Sequence, residues 1–189
     1  MKITKEAVKK KYNCENKNRI RQLIVDEIRK RDINNILTLE SPEFLFSKLL
    51  PDKKIIVWEN DTDTFKKMDK KTPKNVELIF GNIGKFGVIG KDIDMIYLDF
   101  TAVYGTIQEE IVRLKNRLSK CKLFALTVCL RENPSVKNPL LGNGDYQFNL
   151  INKIQELTNI NWKVIYGESY YDSVQMVTFI LENPNESTH

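Results

Sequence analysis

The sequence has almost no histidine and little cysteine, and both shortages restrict its chemistry. Its single histidine is His189, and its three cysteines, Cys14, Cys121 and Cys129, are far apart and form no CxxC pair. We therefore expect no metal site built from these residues and no mechanism that depends on a histidine base. Unpaired thiols are typical of a reducing compartment, so we expect a cytoplasmic protein.

Long apolar runs are also missing. No stretch approaches the roughly 18 apolar residues of a membrane span, and the first residues, MKITKEAVKKKYN, lack the apolar core of a secretory signal. The chain has 189 residues, of which 41% are hydrophobic and 29% charged, as is usual for one soluble globular unit. We predict a single domain over residues 1–189, made of an N-terminal extension (1–31) and a body (32–189).

Positive charge is concentrated at the N-terminus. Residues 1–31 contain 11 Lys and Arg against 4 Asp and Glu, whereas residues 32–189 contain 19 against 21. Apolar residues recur at helical spacing within 17–31, so we predict a basic amphipathic helix over about 4–31. Such a cluster is either the solvated face of a helix or a surface that neutralises phosphates. On the second interpretation, nucleic acid is the partner and the candidate contacts are Lys9, Lys10, Lys11, Arg19 and Arg21.

Beyond residue 31, short apolar runs alternate with helical segments. Most of the first five runs are apolar on both faces, which is typical of parallel strands covered by helices on each side. They are Asn35–Leu39, Lys54–Trp58, Val76–Phe80, Ile93–Leu98 and Leu123–Leu130. Two further runs, 161–168 and 174–182, are separated only by SYYDS, which is too short for a crossover helix and predicts an antiparallel hairpin. The predicted fold class is an α/β, doubly wound, seven-stranded sheet that is mostly parallel and preceded by N-terminal helical structure.

Helix start signals lie between the predicted strands. Ser41-Pro42 offers an N-cap followed by proline, and Asp61 or Asp63 begins the next helix. Thr106 begins a capping-box pattern, and Gly144-Asp145 precedes a segment with apolar residues on one side. The irregular stretch 131–145 is a candidate substrate-facing loop. Trp58, Tyr97, Phe124, Phe179, Cys121 and Cys129 are interpreted as core residues.

Polar residues follow the predicted strands, and ligands of open α/β sheets bind at the C-terminal ends of strands. These residues are Glu40-Ser41 after the first strand, Glu59-Asn60 after the second, Asn82-Ile83 after the third and Asp99 after the fourth. They are therefore the candidate ligand-binding residues.

A helix, five β-α units and a final hairpin resemble the layout of the Rossmann-like S-adenosylmethionine-dependent methyltransferases, over about residues 17–182. The resemblance implies S-adenosylmethionine as cofactor, with Glu59 at the ribose, Asn82 and Ile83 at the adenine, and Glu40 near the amino-acid end. Ser41 and Asn60 would complete the cofactor site. The residues implied at the acceptor are Asp99, Thr101 and Tyr104, although Tyr104 could instead pack on the following helix.

Two features of the sequence differ from that family. The segment after the first strand, ESPEF, has no glycine, and the fourth strand is followed by neither a Pro-Pro-Tyr nor a Pro-Cys motif. Nucleic-acid methylation is the first hypothesis. The alternative is a catalytically inactive methyltransferase-like module that binds nucleic acid or protein. A nicotinamide-dependent enzyme is disfavoured, because no GxGxxG follows the first strand and because the last two strands form a hairpin.

Overall fold

The computed structural model describes residues 15–82, 92–130, 146–172 and 174–186. Within these ranges it contains a seven-stranded sheet and four α-helices. The helices are α1 (Glu15–Arg29), α2 (Thr62–Asp69), α3 (Tyr104–Leu118) and α4 (Tyr146–Thr158). The strands are β1 (Asn35–Leu39), β2 (Lys54–Glu59), β3 (Val76–Phe80), β4 (Met95–Val103), β5 (Leu123–Cys129), β6 (Lys163–Asp172) and β7 (Val174–Glu182).

The sheet has the order β3-β2-β1-β4-β5-β7-β6, and β7 alone runs opposite in direction to the other six strands. Leu37 of β1 lies between Ile56 of β2 and Ile96 of β4 in the register. The predicted fold class is therefore confirmed. Strand order reverses between β1 and β4, so their C-terminal ends form the switch point at which such sheets bind ligands.

Two apolar layers cover the sheet. One face packs against α3 and α4, through residues such as Ile111 and Ile154, and the other packs against α1, α2 and the segment 41–50. The four aromatic residues and the two thiols predicted as core are buried. A sheet with helices on both faces explains why most strands are apolar on each side.

The segment between β1 and β2 differs from its prediction. Ser41-Pro42 begins no α-helix; the chain forms turns and a short 3-10 helix, Ser47–Leu49. Phe44 has a φ of 49°, which no right-handed helix accommodates, and its ring is buried. Burying the apolar side chains of this segment therefore overrides the local start signal.

The fourth strand is longer than predicted. It runs to Val103, so Asp99 lies within β4, opposite Thr127 of β5, and an irregularity follows it. The prediction that the fourth strand ends at Leu98, before Asp99, is therefore wrong. Helix α3 begins at Tyr104, two residues before the predicted cap Thr106. Pairing with β5 continues beyond Asp99, so the polar side chain does not end the strand.

Other boundaries agree or move slightly. Asp61 is the N-cap of α2, and its side chain accepts a hydrogen bond of 2.7 Å from the Thr64 amide. The final hairpin is confirmed, but β6 extends to Asp172, which pairs with Val174, so most of the expected SYYDS connection is strand. The predicted loop 131–145 and helix residues 4–14 lie outside the described residues. None of the helices in the described ranges is long and apolar enough to cross a membrane.

Candidate ligand site at the switch point of the sheet

Two adjoining clefts open at the C-terminal ends of β1, β2 and β4. The first encloses about 550 Å³, including space open to solvent, and is lined by Arg21, Leu39, Glu40, Ser41, Leu45, Phe46, Tyr97 and Asp99. The second encloses about 620 Å³ and is lined by Leu39, Glu40, Trp58, Glu59, Asn60, Gly81, Asn82, Phe100 and Glu110. Leu39 and Glu40 line both clefts, so the two clefts adjoin at the place predicted for a ligand.

Glu40 organises the loop after β1. Its carboxylate accepts hydrogen bonds from the amides of Phe46 (3.3 Å) and Ser47 (2.8 Å), and from the Ser47 hydroxyl. Burial raises the pKa of Glu40 to about 7, against the opposing effect of these hydrogen bonds. The backbone donors of this glycine-free loop are thus occupied by a side chain of the protein itself.

Three oxygens along the clefts are buried and have no hydrogen-bond partner among the described residues. They are Ser41 Oγ and Asp99 Oδ1 in the first cleft and Glu110 Oε2 in the second. Buried polar atoms are ordinarily satisfied, so these three mark places where a ligand can donate hydrogen bonds.

Glu110 was not predicted from the sequence because it lies on α3, away from any strand end. Its spacing from Ile107 and Leu114, which are buried one turn before and after it, placed it beside the apolar face of this helix. This spacing is the one feature of the sequence from which the position of the Glu110 carboxylate near the sheet could have been predicted.

The second cleft is held together by backbone contacts between β2 and β3. The Gly81 amide donates to the Glu59 carbonyl (2.9 Å), and Gly81 has a φ of 144°, in the region that favours glycine. The Glu59 carboxylate accepts from the Asp61 amide at 2.7 Å. Glu59, Asn60 and Asn82 therefore meet at one place, as predicted from their positions, whereas Ile83 lies outside the described residues.

Helix α1 contributes two cations to the same region. Lys17 and Arg21 are four residues apart, share one face of the helix and are both buried. Lys17 Nζ lies 3.9 Å from Asp99 Oδ2, and Arg21 lines the first cleft while donating to Asn18 Oδ1 at 2.8 Å. The expectation that Arg21 lies on a solvated nucleic-acid surface is wrong, because the apolar face of α1 turns it toward the sheet.

Arg19 is engaged within the protein. Its guanidinium donates to both carboxylate oxygens of Glu168 on β6, at 2.7 and 2.6 Å, and to the Tyr166 hydroxyl at 3.3 Å. This pairing lowers the pKa of Glu168. Arg19 remains partly exposed, but a phosphate would have to compete with a bidentate carboxylate for it.

The remaining cations of α1 and the turn after it also have partners in the chain. Arg29 donates to the Leu49 carbonyl, Lys30 pairs with Glu27, and Arg31 pairs with Glu27 and Glu182. Most basic side chains of residues 15–31 therefore form hydrogen bonds or ion pairs within the protein. Lys9, Lys10 and Lys11 lie outside the described residues.

The other predicted acceptor residues lie close to Asp99 in the chain. Thr101 is in β4 and Tyr104 is the first residue of α3, but their side chains lie outside the described part. Among the residues that are described, no group of three or more His, Cys, Asp or Glu side chains is arranged to hold a metal ion.

The sequence matches no protein-family model and no curated protein. Its fold is similar to solved structures at low sequence identity. An S-adenosylmethionine-dependent methyltransferase from Clostridium acetobutylicum has a TM-score of 0.65 at 8% identity, covering 95% of this chain and 98% of its own. The N-methyltransferase NodS from Bradyrhizobium japonicum, in complex with S-adenosyl-l-homocysteine, has a TM-score of 0.64 at 9% identity, covering 96% and 93%.

A third structure, EvdMO1, is larger. It has a TM-score of 0.61 at 12% identity over 88% of this chain, which spans 40% of the length of EvdMO1. These likenesses concern the fold and agree with the strand order of the sheet. The chain has the Rossmann-like fold of the class I S-adenosylmethionine-dependent methyltransferases.

Proposed function

We propose that the protein binds S-adenosylmethionine across the two clefts and transfers its methyl group to an acceptor held beside Asp99. The observation that carries this proposal is a set of three buried oxygens without a hydrogen-bond partner in the described part of the chain, which line the two adjoining clefts at the switch point: Ser41 Oγ, Asp99 Oδ1 and Glu110 Oε2. The fold and the complex of NodS with S-adenosyl-l-homocysteine support it.

The chemistry of the cleft fits this cofactor. S-adenosylmethionine carries an ammonium, two ribose hydroxyls and an adenine amino group, all of which donate hydrogen bonds, and a positive sulfonium. The charged lining of the clefts is mainly acidic, with Glu40 and Asp99 in the first cleft and Glu59 and Glu110 in the second. Acceptor oxygens therefore meet donor groups, and negative charge meets a cation.

The residues divide naturally between the two ends of the cofactor. In the second cleft, Glu59 would hold the ribose hydroxyls, while Asn82 and Phe100 would flank the adenine. In the first cleft, Glu40, Ser41 and Asp99 would surround the amino-acid end. Bound there, the cofactor supplies an electrophilic methyl group.

Asp99 would also orient the acceptor. Its Oδ1 can accept a hydrogen bond from an N–H or O–H group of the acceptor, while Lys17 Nζ lies 3.9 Å from Oδ2. Displacement at a methyl carbon requires chiefly in-line positioning of the nucleophile, so no histidine is needed. Thr101 and Tyr104, which follow Asp99 in the chain, remain proposed acceptor contacts.

We further propose a nucleic acid as the acceptor, bound through Lys9, Lys10 and Lys11. Residues 1–14 contain five lysines against one glutamate, and the basic residues that follow them are engaged within the protein. The phosphate-binding surface would therefore lie before α1, as part of a single domain with the body.

A binding module without catalysis is the second candidate. The occupied amides of the Glu40 loop favour it, because a glycine-rich loop would leave them open to a cofactor. It predicts binding of nucleic acid without methyl transfer.

Calorimetric titration of the full chain with S-adenosylmethionine and S-adenosyl-l-homocysteine tests the first proposal. We expect binding of both, and we expect Asp99→Asn to retain the fold but slow the transfer of labelled methyl groups to cellular RNA or DNA. No heat and no thermal shift at millimolar ligand would eliminate cofactor binding. Binding without transfer to any cellular fraction would favour the second candidate.

The acceptor class has its own test. Replacing Lys9, Lys10 and Lys11 by Gln should weaken binding to RNA or DNA and reduce the slope of log affinity against log salt by up to about 0.9 for each lost phosphate contact on duplex DNA. The matched control replaces three exposed lysines of α2 and its end, Lys66, Lys67 and Lys70. Equal losses in both variants would contradict a dedicated site.

A further inference from the structure

We propose that the carboxyl edge of the sheet, where β1 to β6 end, carries a surface for unpaired nucleotides, on which the exposed rings of Phe148 and Tyr171 stack with bases. This inference rests on the proposed function and narrows its acceptor to a single-stranded or looped nucleic acid. The surface is separate from the two clefts, because neither ring lines them.

Tyr171 lies at the same edge of the sheet as the clefts. Strand β6 runs parallel to β5, and Tyr171 pairs with Gln175, whose carbonyl accepts from the Leu130 amide directly after β5. Val103, the last residue of β4, pairs with Cys129, one row earlier. The end of β6 is therefore level with the end of β4, beside which the acceptor is proposed to bind.

Two aromatic rings are exposed near this edge. Among the large apolar side chains of the described ranges, Tyr171 is the most exposed, at 71%, followed by Phe148 at 60%. Successive side chains of a strand point to opposite faces, and Tyr170 is buried on the face that α1 covers. Tyr171 therefore points to the face of α3 and α4.

Phe148 lies in the first turn of α4, toward the same edge. At the other end of this helix, Thr158 accepts a hydrogen bond of 3.0 Å from the Trp162 indole just before β6. The helix therefore ends where β6 begins, and its 13 residues rise about 20 Å toward the end of the strand. Two exposed rings on one face and at one edge, unlike a single one, indicate a surface that contacts a partner.

The distance from Asp99 to Tyr171 suits an extended partner. Asp99, Thr127, Thr178 and Glu168 occupy one row of the register across β4, β5, β7 and β6. Three strand spacings of about 4.8 Å and three residues of about 3.3 Å along β6 place the two Cα atoms about 17 Å apart. A small acceptor beside Asp99 does not reach Tyr171, whereas neighbouring nucleotides of one strand do.

Positive charge meets this edge at the start of α1. The Asn16 side-chain amide donates to the Tyr171 carbonyl at 3.0 Å, so residues 1–14, with five lysines against one glutamate, join the body beside Tyr171. Glu168, in the same row as Asp99, is neutralised by the bidentate contact with Arg19. Rings that stack with bases beside cations that neutralise phosphates are the combination by which proteins bind single strands.

Fluorescence anisotropy of the full chain with a labelled single-stranded RNA or DNA, and with the same strand annealed to its complement, tests the inference. We expect the wild type to bind the single strand more tightly, because a duplex keeps its bases stacked on one another. Y171A and F148A should each weaken single-strand binding about 5- to 150-fold, as for the loss of one stacked base. Y171F, which keeps the ring, should stay within about twofold of the wild type.

The salt dependence separates stacking from charge. Stacking releases no counterions, so the slope of log affinity against log salt should be the same in Y171A as in the wild type. V164A is the matched control, because Val164 is an exposed apolar side chain near the other end of β6. Its affinities should equal those of the wild type.

Equal affinity of the wild type for single strand and duplex, unchanged binding in Y171A or F148A, or an equal loss in V164A would overturn the surface. Calorimetry with S-adenosylmethionine distinguishes this failure from that of the proposed function, since Y171A should bind the cofactor as the wild type does. Cofactor binding without binding of RNA or DNA would overturn the surface and the nucleic-acid acceptor alone. Single-strand binding through the two rings without cofactor binding would support the surface and eliminate methyl transfer.

Discussion

The free energy of unfolding of E40Q, relative to that of the wild type, should increase as the pH rises. Burial raises the pKa of Glu40 from 4.5 to about 7 in the folded state. The folded protein therefore binds a proton more tightly than the unfolded chain does. This group contributes stability that is fully present below about pH 4.5 and is lost as the pH rises through 7.

The size of the effect follows from that difference in pKa. Each pKa unit corresponds to about 1.36 kcal/mol, so the full effect is about 3 kcal/mol. Most of it, about 2.5 kcal/mol, falls between pH 5 and pH 8. Glutamine does not titrate, so the free energy of unfolding of E40Q minus that of the wild type should rise by this amount over the same range.

Urea unfolding of both proteins at pH 5, 6, 7 and 8 measures this difference. The other titrating groups are common to both proteins and cancel in the subtraction. Glu43→Gln removes a carboxylate from the same loop, one that lies 3.8 Å from Lys71 and takes no part in the Glu40 hydrogen bonds, and serves as the comparison variant. A difference between E40Q and wild type that stays constant with pH would refute the reasoning.

Three further predictions concern stability. The hydroxyls of Thr127 and Thr178 share a buried hydrogen bond of 2.8 Å, so T127V should cost about 1–3 kcal/mol whereas the double variant T127V/T178V recovers part of the loss; additive costs in urea unfolding would contradict this. The buried Asn183 side-chain amide donates hydrogen bonds to two backbone carbonyls before β5, at 3.2 and 3.1 Å. N183A should therefore lower the free energy of unfolding by about 2 kcal/mol, and an unchanged midpoint of urea unfolding would contradict this. The ion pair of Arg19 and Glu168 is partly exposed, so a double-mutant cycle should give a coupling energy below about 1 kcal/mol. This coupling energy should decrease as salt is added. A larger coupling energy that does not change with salt would contradict the prediction.

The sheet could be predicted from the sequence because burial on both faces leaves a local pattern. The apolar run at 35–39 needs no distant information to be recognised as a strand, and it matches β1. The extension of β4 past Asp99 was not predictable in this way. This extension depends on pairing with β5, because Thr127 lies opposite Asp99 and Cys129 lies opposite Val103. The partner strand is far away in the sequence, so no local pattern around Asp99 shows the pairing.

The candidate site was predicted in part for a similar reason. Residues at strand ends, such as Glu40 and Glu59, are placed by the topology alone. Arg21 and Glu110 lie on helices, where the rotation of each helix decides whether the side chain meets the cleft. Counting charges along the chain could not show whether Arg21 faces solvent or the cleft, because packing against strands far away in the sequence sets the rotation of the helix.

The contact between α1 and β6 has a consequence for how the protein is made. Arg19 and Glu168 are 149 positions apart, and Asn16 donates to the Tyr171 carbonyl across 155. At a synthesis rate of about 5–20 residues per second, α1 leaves the ribosome roughly 7–30 s before β6 does. The contacts that join α1 to β6 can therefore form only after β6 has been synthesised.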